Sequence, residues 1–180
     1  MDKELLDALR KQNPFAQKRV YDQYVRRMFR VCRRYLASDE EAQDALMTGF
    51  VKFFRHADRI EVPGGHTLEP YLRKVMVNEC LQLLRKQRVT FVSIDHLPEG
   101  EEPFEPPGEN WQAEELYQLV LSLPDGYRTI FNLYALEGYS HREIADKLNI
   151  TESTSKTQLH KARLWLQKKL SGTDYGRTYR

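Results

Sequence analysis

The stretch from Tyr139 to Leu170, YSHREIADKLNITESTSKTQLHKARLWLQKKL, constrains the fold more tightly than any other part of the chain, because two helix starts and one sharp turn are written into it in fixed register. Ser140 is placed to cap a helix, and Glu143 three residues on can reach back to the freed backbone donor, while Tyr139 and Ile144 stand at staple spacing around that cap. The helix turns Ile144, Ala145 and Leu148 inward. Asn149 then tolerates a sharp turn, and Thr151 offers a second hydroxyl cap just past Ile150. In the helix that follows, Leu159, Ala162, Leu166 and Leu170 recur at spacings of three and four with Ser155 beside them, forming an apolar stripe that packs inward. At about 100° per residue, Ser153, Thr154, Thr157, His160, Lys161 and Lys168 fall on the opposite side, with Lys156 on the flank. A helix that enters the major groove of DNA needs small residues near its N-terminus, where backbone donors meet phosphate, and longer donors aimed at base edges. The pair reads as a helix-turn-helix; a helical hairpin with a solvated basic face stays open from this segment alone.

The charge pattern adds a second lobe. The net charge of +2 is unevenly spread over the 180 residues: positions 1–92 hold 18 Lys and Arg against 12 Asp and Glu, and positions 116–180 hold 10 against 6. Positions 93–115 hold no Lys or Arg against 8 acids. Two basic blocks around an acidic strip fit two lobes on nucleic acid better than one charged surface. The two cysteines, Cys32 and Cys80, lie in helical patterns, so no disulfide framework or CxxC site is implied and both are expected to be reduced packing residues. No glycine-rich phosphate loop, metal-ligand spacing or catalytic constellation stands out, so no cofactor, metal or enzymatic activity is expected. The absence of a signal-type hydrophobic region or a run of about 18 apolar residues argues against membrane insertion and for the cytoplasm.

Taken in order, Asp2 to Gln12 is expected to be a short amphipathic helix ended by Asn13-Pro14. Between Phe15 and Leu36, Val20, Tyr24, Met28, Val31 and Tyr35 repeat at helical spacing, with Arg26, Arg27, Arg30, Arg33 and Arg34 around the remainder. Ser38 to Glu41 caps a third helix whose buried side is Leu46, Phe50, Phe53, Phe54 and Ala57, leaving Asp44, Thr48, Val51 and Arg55 outside. A helix from Tyr71 to about Arg88 follows, with Leu72, Val75, Met76, Cys80 and Leu83 on one side. Its other side lines up Tyr71, Lys74, Asn78, Gln82 and Arg85, a stripe able to stack on unpaired bases, hydrogen-bond them and hold phosphate, or simply to be a polar helix face.

The segments ASDEEAQDALMTGFVKFF, YLRKVMVNECLQLLRK and SLPDGYRTIFNLYALEGYSHREIADKLNITESTSKTQLHKARLWLQKKL, in this order, resemble a bacterial RNA polymerase sigma factor of the compact extracytoplasmic function type over about residues 10–170. The resemblance implies an all-α chain: an N-terminal helical domain over 1–92, a linker over 93–112, a C-terminal helix-turn-helix domain over 113–172 and a tail over 173–180. It implies core RNA polymerase and promoter DNA as partners, and allows an anti-sigma factor. Asp44 and Phe50 match the polymerase-binding helix, with Thr48 and Val51 on the same helix. Asn78 matches the asparagine that helps hold a flipped −10 base, which makes its stripe, with Tyr71, Lys74, Gln82 and Arg85, the expected −10 surface, and residues 61–70 match the specificity loop. Lys156, Thr157, His160 and Lys161 match the −35 readers, which agrees with the helix face read from spacing. The linker, IDHLPEGEEPFEPPGENW, is acidic and proline-rich, and in this family it threads the polymerase RNA path. This chain departs from the family in carrying Met47-Thr48 where a glutamine-glutamate pair is usual. A stand-alone dimeric helix-turn-helix regulator is the alternative reading, recognisable by a stable homodimer and a palindromic site.

Overall fold

The structure, a computed structural model, describes residues 3–60, 67–86 and 113–171. All its regular elements are helical, and the chain divides into two compact units, Met1–Arg88 and Val89–Arg180. The specificity-loop positions 61–66, the linker expected over 93–112 and the tail expected over 173–180 lie outside the described residues.

The first unit contains α1 (Lys3–Arg10), α2 (Pro14–Arg33), α3 (Asp39–Arg55), a 3₁₀ turn (Ala57–Arg59) and α4 (Glu69–Lys86). The first helix stops at Arg10, short of the expected Gln12, because Gln12 takes a left-handed backbone (φ 57°) that a helix cannot continue. Asn13 then caps α2, its side chain accepting from the Phe15 and Ala16 amides at 2.9 and 3.2 Å, and Pro14 fills the first helical position, where no amide hydrogen is needed. The α2 helix ends at Arg33 rather than Leu36, yet Tyr35 and Leu36 are still fully buried. Ser38 caps α3 by accepting from the Glu41 amide at 3.1 Å.

The core is the mutual burial of three helices: Val20, Tyr24, Met28 and Val31 from α2, Leu46, Phe50 and Phe53 from α3, and Leu72, Met76 and Cys80 from α4. Each large side chain removed from water stabilises the unit by roughly 1.5–3 kcal/mol. Val77, Leu81 and Leu84 are buried on α4, whereas Val75 and Leu83, expected to face inward, are only half-buried. The reason is that α4 is packed from two sides, by α2 and by α3, so its buried arc is wider than one stripe. Cys32 and Cys80 are both buried free thiols, and their mutual hydrogen bonding and burial push the Cys80 thiol well up, leaving it neutral.

A charged contact also joins two helices of this core. Glu79 is 7% exposed, and both its oxygens accept from Lys52 Nζ, at 2.7 and 2.8 Å. The pair ties α3 to α4 beside Gly49, where an added Cβ would overlap the Met76 sulfur.

The second unit contains α5 (Ala113–Leu121), α6 (Asp125–Phe131), a π-helical turn (Asn132–Leu136), α7 (His141–Leu148) and α8 (Glu152–Ser171). Its core joins Leu119, Leu123, Tyr127, Ala162 and Trp165, with Phe131, Leu166 and Leu170 packed on the edge. Buried Arg128 closes the α5–α6 turn, donating to the Leu121 and Leu123 carbonyls at 2.8 and 3.1 Å and pairing with Asp125. Leu166 and Leu170 are thus at the rim of the stripe, and Trp165 and Gln158 take the deeper positions beside Leu159 and Ala162. Between α7 and α8, His141 Nδ1 lies 2.9 Å from the Ser155 hydroxyl, and its ring stacks on Tyr134 at 4.6 Å. Burial, then the Lys156 and Arg163 cations against the weaker pull of Glu152, hold His141 below the usual histidine pKa.

Two outcomes follow. Lys52→Met is expected to cost about 1–3 kcal/mol in urea unfolding, since it strands a buried carboxylate while losing a cation that is itself partly solvated, and adding Glu79→Leu is expected to recover most of the loss. For His141 the folded pKa is the lower one, so the unfolded chain takes up its proton first on acidification. The stability of the second unit is therefore expected to fall as the pH drops below about 6.5, until the folded pKa is passed. His141→Gln removes that decline, and unfolding midpoints of the two proteins between about pH 7.5 and pH 5.5 measure it.

Candidate nucleic-acid and polymerase interfaces

In the second unit the helix-turn-helix is fixed by short-range hydrogen bonds. Ser140 Oγ accepts from the Glu143 amide at 3.3 Å, and the Glu143 carboxylate accepts from the Ser140 amide at 2.8 Å and from its hydroxyl at 2.7 Å, closing the capping box. Those bonds from Ser140 hold the Glu143 carboxyl below its ordinary range. Asn149 supplies the turn in a left-handed conformation (φ 55°, ψ 50°), and Thr151 caps α8 by accepting from the Thr154 amide at 3.0 Å.

This geometry presents Ser153, Lys156, Thr157 and His160 as exposed side chains on one side of α8, opposite buried Ser155, Leu159 and Ala162. Lys161 is half-buried at the margin. Thr154 is half-buried as well, and its hydroxyl is 2.9 Å from that of Thr151, so it serves the cap first. Spacing alone did not reveal the cations added from other turns. Arg142 is exposed at the start of α7, and Arg163 lies over the Tyr134 ring at 5.6 Å. Together with Lys156 they extend the basic surface around the α7 N-terminus.

In the first unit, Tyr71, Lys74, Gln82 and Arg85 are exposed and Asn78 is half-buried along one side of α4. Tyr71, Asn78 and Gln82 line a cavity of about 310 Å³ whose other wall comes from α3, with Lys52, Phe53 and His56. Lys74 and Arg85 are not part of its lining. The cavity has one apolar wall, at Phe53, Ile60 and Val75, and polar groups of fixed sense. The carboxylate of Glu79, already bound by Lys52, can only accept. His56 Nδ1 sits 2.9 Å from the Lys52 carbonyl, which only accepts, so Nδ1 carries a proton and donates it there. An aromatic, two amides and these groups around a volume of that size can receive a flat heterocycle. His56 and Glu79 carry no spacing signal of their own, since only the packing of α3 on α4 brings them to the cavity.

On α3, Asp44, Thr48 and Val51 are exposed on one face, joined by Met47, and Val51 is 53% exposed. Phe50, expected as a polymerase contact, does not reach this face. It is 2% exposed and its ring packs against Tyr21 at 4.9 Å and Phe54 at 5.8 Å. Its role is to seat α3 on α2, because a ring that size on the inner arc is worth more buried than offered to a partner. Among the described residues no cluster of His, Cys, Asp or Glu is arranged to hold a metal ion, and no helix is long and apolar enough to cross a membrane.

Two family models match, one on each unit: Sigma-70 region 2 over residues 20–90 and Sigma-70 region 4 over residues 113–166. The ECF RNA polymerase sigma factor SigW of Bacillus subtilis is 24% identical over 84% of this chain and 87% of its own length. The RNA polymerase sigma-E factor of Streptomyces coelicolor is 28% identical over 86% of this chain and 88% of its own. Among solved structures, CnrH, determined with the cytosolic domain of CnrY, shares the fold with a TM-score of 0.50 at 17% identity, over 95% of this chain and 97% of that one. With one sigma region on each unit, in the family's order, and relatives aligned over most of both lengths, the chain belongs to the sigma-70 family, as an RNA polymerase sigma factor of the extracytoplasmic function type.

Proposed function

We propose that this chain directs promoter-specific initiation by binding core RNA polymerase, opening the −10 element with its first unit and reading the −35 element with its second, without chemistry of its own. The observation that carries the proposal is the presence of Sigma-70 region 2 and region 4, each on its own folded unit. In this reading residues 1–92 are the polymerase and −10 domain, 93–112 the linker and 113–172 the −35 domain. Asp44, Thr48 and Val51, with exposed Met47, form the polymerase-facing side of α3. The cavity beside Tyr71, Asn78 and Gln82 captures an unstacked base, with Lys74 and Arg85 on the strand's phosphates, so that binding energy offsets unpairing. Ser153, Lys156, Thr157, His160 and Lys161 meet the duplex at −35, with Thr154 supporting them through the cap. Linking two weak sites on one polymerase raises affinity through effective concentration. A stand-alone dimeric regulator leaves the region 2 match on the first unit without a purpose.

Run-off transcription by core polymerase with and without the chain tests the function, and no stimulation at any promoter would sink it. Within that assay Asn78→Ala is expected to slow open-complex formation on duplex promoters and to recover part of the loss on a template with a pre-melted −10 bubble, where unpairing no longer has to be offset. Equal defects on both templates would assign Asn78 to folding or polymerase binding. Lys161→Ala is expected to weaken promoter affinity by about 1–3 kcal/mol and to relax preference at particular −35 bases, with core polymerase binding unchanged. A double substitution, Lys161→Ala with His160→Ala, that transcribes all −35 variants like the parent would remove α8 from the recognition role.

A further inference from the structure

We infer that the solvent face of α2 is a track for the phosphate backbone of promoter DNA, extending the contact made by α4; the inference rests on the sigma-factor reading. Lys18, Arg19, Arg26, Arg27 and Arg30 are all exposed on this helix, and the one acid among them, Asp22, is paired with Lys18. A merely solvated helix face normally mixes both signs; this one is cationic along its length. At about 100° per residue, Arg19, Arg26 and Arg30 fall within one narrow arc, opposite buried Val20, Tyr24, Met28 and Val31. Phe15 stands at the N-terminal end of the same arc, 82% exposed. From Phe15 to Arg30 the helix rises about 22 Å, the length of a short run of consecutive phosphates along one strand. An exposed ring at the end of a cationic track is the combination that single-stranded nucleic acid uses, stacking one base while the backbone follows the charges.

The track also joins the proposed −10 surface. Glu69, at the start of α4, accepts from Arg27 of α2 at 2.9 Å and pairs with Arg73 of α4 at 3.5 Å. That bridge sets the α2 face against the end of α4 that carries Tyr71 and Lys74. A strand leaving those residues meets the α2 arginines next, and among the described residues the acid at that junction, Glu69, is already neutralised on both sides. The charge complementarity and this continuity select a nucleic-acid backbone over an acidic protein as the occupant.

The test uses holoenzyme assembled from core polymerase and the full chain, with promoter affinity measured across a salt series. Each phosphate contact contributes about 0.7–0.9 to the slope of log affinity against log salt. The double variant Arg26→Ala with Arg30→Ala is expected to lower that slope by about 1–2, with helix content and core polymerase affinity as in the parent. Arg26→Lys with Arg30→Lys is expected to keep the parent's slope, because it keeps the charge. An unchanged slope in the alanine variant would overturn the proposal. So would an equal loss in the lysine variant, which would mark the guanidinium groups as structural, or a loss of core polymerase affinity, which would assign the face to the polymerase. If the parent holoenzyme itself showed no promoter-dependent binding, the sigma-factor reading would fall and the α2 track with it, a result separable from all the others.

Discussion

The close approach of α3 and α4 is the constraint on which the first unit depends. Gly49 leaves room for the Met76 sulfur, and Glu79, nearly out of water, is held there by both of its oxygens on Lys52. A buried carboxylate is tolerable only with its partner in place, so the pair stabilises one relative position of the two helices more sharply than apolar contact could. That position has two consequences. It forms the cavity between His56 and Asn78, and it turns Asp44, Thr48 and Val51 outward on the far side of α3. The proposed base-capture and polymerase surfaces are therefore two faces of the same packed pair, and a change in how α3 sits on α4 moves both.

The second unit is built the other way, from local bonds outward. Its capping box, its left-handed Asn149 and its Thr151 cap each involve residues no more than a few positions apart. They fix the start, turn and restart of the chain before long-range contact is made. The tertiary contribution is finer: Arg128 closes the α5–α6 turn, and His141 on Ser155 sets α7 against α8. In the proposed function a recognition helix needs its angle held to keep several side chains at base edges at once, and the part-buried hydrogen bond between the two helices provides that restraint.

In the proposed function electrostatics divides the labour between the two units. Cations lie along α2, in the α4 stripe and on α8, while positions 93–115 hold 8 acids and no Lys or Arg. Phosphate attraction is sequence-independent and salt-sensitive, and it positions; base edges and a shaped cavity discriminate. In the proposed function the cationic surfaces and the cavity serve different parts of the same task, and Met47-Thr48 belong to neither, since both residues are on the exposed face of α3.

The amino-acid sequence by itself determined the helices, the helix-turn-helix with both its caps and its turn residue, and the exposed face of α8, because all of these rest on interactions within a few residues. It also carried the family through the order of two motifs. Helix ends were legible only to within two or three residues: α1 stops at Arg10, with Gln12 just beyond it in a left-handed backbone, and α2 stops at Arg33 although Arg34 keeps a helical backbone. What the tertiary structure alone decided came from helices distant in sequence. Phe50, buried by periodicity but a polymerase contact by resemblance, was packed against Tyr21 and Phe54, Val75 was turned to a cavity wall, and Glu79 and His56 were brought to that cavity. Periodicity identifies which arc of a helix is buried when one neighbour covers it, but α4 has two, and the direction from which the second arrives is not a property of its own sequence.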